Sequence, residues 1–168
     1  MMSSTSPTRG VTIRELRSED HVRWLELWDG YLRFYRCELP QAVSEFTWRR
    51  LIDPAEPLHG FAAVSDANEI VGIVHYHFHL STWALVNYCY LEDLFVAADS
   101  RRAGAGRALI LAVYRAADAR GATRVYWSTG NDNHQAKKLY DKLATLTPFV
   151  QYQRLEESCC PECVGNNF

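Results

Sequence analysis

The sequence predicts a single domain with a mixed α/β fold. Its 168 residues lie within the usual size of one domain. Hydrophobic residues make up 48% of the chain and charged residues 23%, which is the mixture of an ordinary globular protein rather than of a disordered or fibrous one. Strand-like alternation and helical periodicity follow one another in the order β-α-α-β-β-β-α-β-α-β, and this order excludes a repeat array.

The chain begins with the patterns of one strand and two helices. Residues 11–16 alternate apolar and polar side chains, as a half-buried strand does. Residues 18–20 (Ser-Glu-Asp) supply a helix N-cap, and apolar residues then recur at helical spacing to about Arg36. Pro40 opens a second helical pattern, which ends before the break at residues 53–54 (Asp-Pro).

A hairpin and a glycine-rich turn occupy the middle of the chain. Residues 61–64 and 70–74 are strand-like and flank a polar turn at 65–68, so we expect a hairpin there. A stretch rich in Tyr, Val, Leu and Phe at 84–96 predicts a further strand. The turn at 101–106 (Arg-Arg-Ala-Gly-Ala-Gly) follows it at once.

The last elements are shorter. A helical pattern from Leu109 stops near Gly121, a buried strand is expected at 124–127, and a helix follows at 133–143. Residues 149–152 predict a closing strand. We therefore expect a disordered N-terminus at 1–10, a folded domain at 11–154 and a tail at 155–168.

Charge and hydropathy exclude two classes of partner. The 18 Lys and Arg against 20 Asp and Glu give a net charge of -2, which lacks the basic surface of a nucleic-acid-binding protein. No apolar run approaches the roughly 18 to 20 residues that span a bilayer, and the first residues lack an apolar signal core. We expect neither nucleic acid nor membrane as partner, and a cytoplasmic location.

The cysteines and histidines do not form a complete metal-ligand set. Three of the five cysteines lie at 159–163, and neighbouring thiolates suit zinc, but a fourth ligand is missing nearby. His75, His77 and His79 alternate along a strand, a spacing that suits a metal or a proton shuttle, but no carboxylate or Cys completes the set. We therefore expect no metal and leave these histidines to strand packing or to the lining of an acceptor cleft.

The glycine-rich turn indicates phosphate binding. Gly104 and Gly106 lie between a strand and a helix, where backbone amides can approach a ligand at the positive end of the helix dipole. A Walker loop needs Lys and then Ser or Thr after the second glycine, whereas Arg107 and Ala108 follow here. The dinucleotide fingerprint needs three spaced glycines after the first strand of a parallel unit, whereas this turn follows an antiparallel hairpin in the middle of the chain. The turn therefore favours neither a nucleoside triphosphatase nor a Rossmann fold.

Three segments together carry a resemblance to a known family. They are 94–96 (Leu-Phe-Val), 101–106, and 133–142 (Asn-His-Gln-Ala-Lys-Lys-Leu-Tyr-Asp-Lys). With their intervening strand they resemble the GNAT superfamily of acyl-CoA N-acyltransferases over about residues 11–154. The resemblance implies a mixed, mostly antiparallel central sheet flanked by helices, with acetyl-CoA as co-substrate.

The resemblance also implies which residues bind the cofactor. In that family the amides of the turn grip the pyrophosphate, the preceding strand binds the pantetheine arm, and the second motif faces the cofactor. The residues implied here are Leu94, Phe95, Val96, Arg101, Arg102, Ala103, Gly104, Ala105, Gly106, Arg107 and Asn133. Arg102 stands where many members carry glycine, which either tightens phosphate binding or crowds the turn.

Two branches of the superfamily imply different acceptors. Residues 90–96 resemble spermidine/spermine acetyltransferases, which implies a small polyamine-like or diamine-like amine. The whole pattern, including residues 28–35, also resembles bacterial proteins grouped with histone and other protein acetyltransferases, which implies a protein lysine. Members commonly pair through exposed strands near the C-terminus, so the resemblance further implies a homodimer.

The chemistry of amide formation requires a base and favours an acid. An alkylammonium has a pKa of about 10.4, so something must remove its proton near neutral pH. Glu92 can do so directly or through water, as the matching Glu of the polyamine enzymes is thought to do. Strand alternation places Asp93 on the opposite face unless a bulge intervenes, so we expect Glu92 alone to face the reaction centre. Tyr140 can give its phenolic proton to the departing thiolate, and the backbone N–H of Leu94 can polarise the thioester carbonyl.

The acceptor-binding residues are expected near the end of the first helix, which usually borders the acceptor in the superfamily. Tyr31, Tyr35 and Glu38 can receive a cationic amine through ring faces and charge, and His77 and Asp93 complete the set. The predicted function is an acetyl-CoA-dependent N-acetyltransferase that transfers directly to a primary amine. The alternative is a catalytically silent acyl-CoA-binding regulatory protein, against which the presence of both base and acid argues.

Overall fold

The computed structural model describes residues 10–101 and 103–154. The strands are β1 (Val11–Glu15), β2 (Leu58–Ser65), β3 (Ile70–His79), β4 (Tyr88–Val96) and β5 (Val125–Tyr126). The helices are α1 (His21–Phe34), α2 (Gln41–Ile52), α3 (Ala105–Ala119) and α4 (His134–Tyr140). The predicted mixed α/β class is thus confirmed. The expected disordered N-terminus, Arg102 and the cysteine-rich tail lie outside the described residues, apart from Gly10.

The five strands form one sheet in the order β1-β2-β3-β4-β5. The first three pairings are antiparallel, and β4 pairs with β5 in parallel. Within the described chain this parallel pairing joins only Cys89 to Val125 and Tyr90 to Tyr126. The edge of β4 at residues 91–96 therefore continues without β5 beside it, and its outward backbone groups remain available to a ligand.

The sheet is covered on both faces. Helices α1 and α2 pack on one face, where Trp24 and Ile73 belong to the buried core. Helix α3 packs on the other face through Leu109, Ile110 and Val113. The first seven residues of β3 are all buried, which explains why its sequence is a nearly continuous apolar run rather than an alternating one.

The largest departures from the sequence expectations lie near the C-terminus. The strand expected at 124–127 has two residues, and the helix expected at 133–143 ends at Tyr140. The closing strand expected at 149–152 is not formed, and Phe149 and Tyr152 are exposed. A strand persists only where a neighbour satisfies its backbone groups, and the short β5 offers little edge for this purpose.

The beginning of the first helix also differs from expectation. Residues Ser18–Asp20 form one 3-10 turn before α1 starts at His21. The Asp20 carboxylate accepts hydrogen bonds from both terminal nitrogens of Arg14, at 2.6 and 2.8 Å, and from the Arg17 backbone at 2.8 Å. These bonds tie the start of the helical segment to β1. None of the described helices is both long enough and apolar enough to cross a membrane.

Candidate active site

A cavity of about 530 Å³ lies between the helices of one face and strands β3 and β4. This volume falls in the range of small-molecule sites. Its polar lining side chains include Tyr31 of α1, Arg50 of α2, His75 and His77 of β3, and Glu92 and Asp93 of β4. We call it the acceptor cavity. It brings together the predicted base with Tyr31, His77 and Asp93 from the predicted acceptor set.

A β-bulge brings both carboxylates of β4 to this cavity. His75 pairs with Asp93, but the next residue of β3, Tyr76, pairs with Leu91, so Glu92 is an extra residue on β4. Regular alternation would have placed neighbouring side chains on opposite faces of the sheet. The expectation that only one carboxylate faces the site is therefore wrong, because Glu92 and Asp93 both line the cavity.

Asp93 is held by a buried hydrogen-bond chain. The Trp24 indole N–H donates to His75 Nε2 at 2.9 Å, and His75 Nδ1 lies 2.9 Å from Asp93 Oδ2. An indole nitrogen can only donate, so His75 accepts at Nε2 and donates to Asp93 from Nδ1. Trp24 and His75 are 0% and 1% exposed. Burial and the nearby charge of Asp93 raise the pKa of the Tyr31 hydroxyl, which therefore remains protonated and able to donate.

Glu92 has a different environment. Its side chain is 49% exposed, and its Oε2 lies 3.3 Å from His77 Nε2. Burial of part of the carboxyl group and the charge of Asp93 raise the pKa of Glu92, while His77 opposes this rise. Glu92 is thus a stronger base than an ordinary Glu and is accessible to water. Both properties suit a group that accepts a proton from an amine.

Tyr140 and Tyr35 lie near each other, apart from most of the acceptor cavity. Burial raises the pKa of Tyr140, with a smaller contribution from Tyr35. The Tyr140 ring packs edge-on against Trp127 at 5.3 Å between centroids. Tyr35 lies near Thr129, and burial raises the pKa of its hydroxyl, as does the charge of Asp93. Both phenols therefore stay protonated and can donate.

Two of the predicted acceptor residues, Tyr35 and Glu38, are not among the described residues that line the cavity. Tyr35 lies near Thr129 and Tyr140, as above, and Glu38 is an exposed residue of the connection between α1 and α2. The histidines also divide. His75 and His77 line the cavity, whereas His79 lies beyond it, with its Nε2 accepting from the Tyr126 hydroxyl at 2.8 Å. In the described part of the chain no three His, Cys, Asp or Glu side chains are grouped as metal ligands.

The turn before α3 has the geometry of an anion site. Gly104 caps the helix at φ +83°, a left-handed conformation that favours glycine. The Ala108 N–H donates to the Gly104 carbonyl at 2.9 Å, so the preceding amides of Ala105, Gly106 and Arg107 have no acceptor within the helix. These amides lie at the positive end of a 15-residue helix.

Two contacts hold this turn against its neighbours. The Arg101 Nε–H donates to the Val96 carbonyl at 3.2 Å, which fixes the turn to the end of β4. A Cβ on Gly106 would lie 3.4 Å from the Leu139 side chain, so α3 and α4 approach closely there.

The Asn133 side chain caps α4, since its Oδ1 accepts from the Ala136 N–H at 3.3 Å. A direct contact of Asn133 with the cofactor stays a prediction.

Comparison with known proteins decides the family. Residues 15–144 match the acetyltransferase (GNAT) family. The chain belongs to this family. The enzyme is 35% identical over 158 residues to the D-amino-acid N-acetyltransferase HPA3 of Saccharomyces cerevisiae, a match that covers 91% of this chain and 98% of that protein. It is also 32% identical over 84 residues to the thialysine N-epsilon-acetyltransferase of Caenorhabditis elegans, covering 50% and 51% of the two chains.

A solved structure shows the same fold. The complex of AAC(6')-Iy with the bisubstrate analogue CoA-S-monomethyl-acetylneamine superposes with a TM-score of 0.75 at 19% identity, over 88% of this chain and 99% of that one. The predicted family, the mostly antiparallel sheet flanked by helices and the N-acetyltransferase class are therefore confirmed. GNAT acetyltransferases use acetyl-CoA, and the amide-lined turn and open β4 edge fit its pyrophosphate and its amide-containing arm.

Sequence reasoning missed two side chains of this candidate site. The alternation of the histidines indicated that His75 could face the cleft, but nothing local indicated that Trp24 would be its partner 51 residues away. Arg50 was not singled out, because its place in the cavity depends on how α2 packs over the sheet.

Proposed function

We propose that this GNAT enzyme transfers an acetyl group directly to the primary amine of a small acceptor, most favourably a free amino acid, bound in the acceptor cavity. Acetyl-CoA supplies the acetyl group as a thioester. The observation that carries the proposal is the bulge in β4, which presents Glu92 and Asp93 together beside the open strand edge. One carboxylate can then bind the ammonium while the other removes its proton.

The names of two relatives support an amino-acid acceptor. HPA3, which matches nearly the whole chain, is named for D-amino acids, and the Caenorhabditis elegans relative is named for thialysine. A polyamine is the second candidate, because two carboxylates in one cavity also suit a ligand with several positive charges. A protein lysine, implied by the sequence resemblance, is a further arm of the test.

The chemistry divides among three side chains. Asp93, fixed by His75, binds the acceptor ammonium. Glu92 takes one proton from it, directly or through water, and the neutral nitrogen forms a bond to the carbonyl carbon as the bond from that carbon to sulfur breaks. Tyr140 donates a proton to the departing sulfur and recovers one from solvent, while the nitrogen releases its second proton. No covalent bond to the enzyme is formed.

The residues proposed to hold acetyl-CoA lie along β4 and the following turn. Leu94, Phe95 and Val96 lie on the open strand edge, and residues 103–107 form the turn and the first residues of α3, where the amides point out of the helix N-terminus. The Leu94 N–H is proposed to polarise the thioester carbonyl. Arg102, which lies outside the described residues, belongs to the same proposed set.

We also propose that the enzyme forms a homodimer through its C-terminal segment. Phe149 and Tyr152 are 81% and 92% exposed, and Trp83 and Leu85 of the β3–β4 connection are also exposed. Exposed apolar side chains of this size are typical of surfaces that bind another chain. The expected cytoplasmic location stays a prediction.

An amine panel tests the proposed function. D-amino acids, L-amino acids, polyamines and lysine peptides are each incubated with acetyl-CoA, and release of free thiol is followed. The proposal predicts the fastest release with amino acids. Fastest release with a polyamine or a peptide would overturn the acceptor assignment. Stabilisation by acetyl-CoA in a thermal shift, with no thiol release from any of these amines, would overturn the acceptor assignment and leave the cofactor assignment standing.

A further inference from the structure

We propose that Arg50 binds the carboxylate of the acceptor, so that the acceptor cavity recognises a zwitterion rather than a simple amine. This inference rests on the proposed function, since it places an amino acid in that cavity. Arg50 lies in the last turn of α2 and lines the cavity together with Glu92 and Asp93 of β4. Among the described residues that line it, Arg50 is the only Arg or Lys.

The Arg50 guanidinium is oriented by its neighbours. Its Nε–H donates to Glu56 Oε2 at 3.0 Å, and its central carbon lies 5.5 Å from the centre of the Phe46 ring. A guanidinium carries five N–H donors in a rigid fork, and Glu56 engages it at Nε. The two terminal nitrogens form the edge that pairs with a ligand carboxylate through two parallel hydrogen bonds. The side chain is 40% exposed, which leaves it accessible to a ligand.

The arrangement of charges matches an amino acid and disfavours a polyamine. An ammonium pairs with Asp93 and Glu92 on the sheet, and a carboxylate pairs with Arg50 on α2. A polyamine of sufficient length would instead bring a second positive charge towards Arg50. Repulsion between like charges contributes to specificity as much as attraction does. The cavity, at about 530 Å³, has room for a free amino acid and its side chain.

The neighbouring residue supplies a matched control. Arg49 lies on the same helical turn, and its guanidinium carbon is also 5.5 Å from the Phe46 ring. Arg49 is exposed and is not among the described residues that line the cavity. Replacing Arg49 or Arg50 with Gln removes the same charge from the same helix end, but only the Arg50 change alters the cavity.

The test compares D-leucine with D-leucinamide, which keeps the amine and lacks the carboxylate charge. KM and kcat are measured for the native enzyme, Arg50→Gln and Arg49→Gln. We expect Arg50→Gln to raise KM for D-leucine roughly 10- to 100-fold, as loss of a charge-assisted bidentate pair does, and to change KM for D-leucinamide less than about 3-fold. Comparing each variant with the native enzyme on one acceptor cancels the difference in amine pKa between the two acceptors.

Two results would overturn the assignment: equal effects of Arg50→Gln on both acceptors, or the same effect from Arg49→Gln. Should neither acceptor be acetylated, the proposed acceptor class fails, and calorimetric binding of D-leucine and D-leucinamide then decides the role of Arg50. Tighter binding of D-leucine that disappears in Arg50→Gln supports the carboxylate subsite. Equal binding of the two ligands to the native enzyme refutes it.

Discussion

Replacing His75 with Leu should lower the free energy of unfolding more than the loss of one surface hydrogen bond would. The change leaves the Trp24 N–H without an acceptor where the indole is 0% exposed, and it removes the His75 donor from the Asp93 carboxylate. An unsatisfied buried donor costs about 1–3 kcal/mol, and a hydrogen bond to a charged group contributes about 1.5–3 kcal/mol. The expected loss in the free energy of unfolding is therefore about 2.5–6 kcal/mol, a large part of the usual total of about 5–15 kcal/mol.

Urea unfolding followed by tryptophan fluorescence measures this loss, with His79→Leu as the control on the same strand. His79 bonds the Leu80 carbonyl and the Tyr126 hydroxyl at an exposed position, so its replacement should cost less than about 1.5 kcal/mol. His75→Gln carries an acceptor and a donor and should recover part of the loss. The acceptor KM should rise in His75→Leu, because Asp93 is no longer fixed. If His75→Leu unfolds within about 1 kcal/mol of His79→Leu, the buried hydrogen-bond chain does not act as described.

Three further predictions concern the cofactor turn, the acid and the base. Gly104→Ala forces a side chain into φ +83° and should cost about 1–2 kcal/mol and raise KM for acetyl-CoA; unchanged unfolding and KM would contradict the role of this turn. Tyr140→Phe should lower turnover by roughly 10²- to 10⁴-fold with little change in KM for acetyl-CoA, and unchanged turnover would make Tyr140 a packing residue beside Trp127. The folded-state pKa of Glu92 is raised, so folding favours the protonated carboxyl group. The stability that the protonated group contributes is fully present below the ordinary pKa of about 4.3 and is lost as pH rises through the folded-state pKa. Glu92→Gln should therefore match the native protein in thermal unfolding at acid pH and exceed it near neutral pH; lower stability at neutral pH would contradict the raised pKa.

The parts of the fold that follow from local periodicity were predictable from the sequence. Strands β1 to β4 and helices α1 to α3 lie close to their expected positions, because alternation and helical spacing are properties of neighbouring residues. The length of β5 and the absence of a strand at 149–152 were not predictable, because a strand exists only where another strand pairs with it.

The candidate site divides in the same way. Glu92, Asp93, Tyr31 and His77 were identified from residue type and motif, and the structure places them around one cavity. The bulge that turns both carboxylates to the same side is a property of the pairing between two strands, where one residue of β3 faces two of β4. The approach of Trp24 to its histidine likewise arises from the packing of α1 on the sheet, which local sequence does not encode.

The pH dependence of kcat/KM tests the assignment of the base most directly. Native enzyme, Glu92→Gln and Asp93→Asn are compared with one amine acceptor from about pH 6 to about pH 10. We expect the Glu92→Gln defect to be largest near neutral pH and to shrink as pH approaches the pKa of the amine, where neutral amine is available without a base. Asp93→Asn should instead raise the acceptor KM across the range, because the ammonium loses the carboxylate that His75 holds in place. A loss in Glu92→Gln that does not change with pH would show that Glu92 is not the base. A larger and pH-dependent loss in Asp93→Asn would show that Asp93 is the base instead.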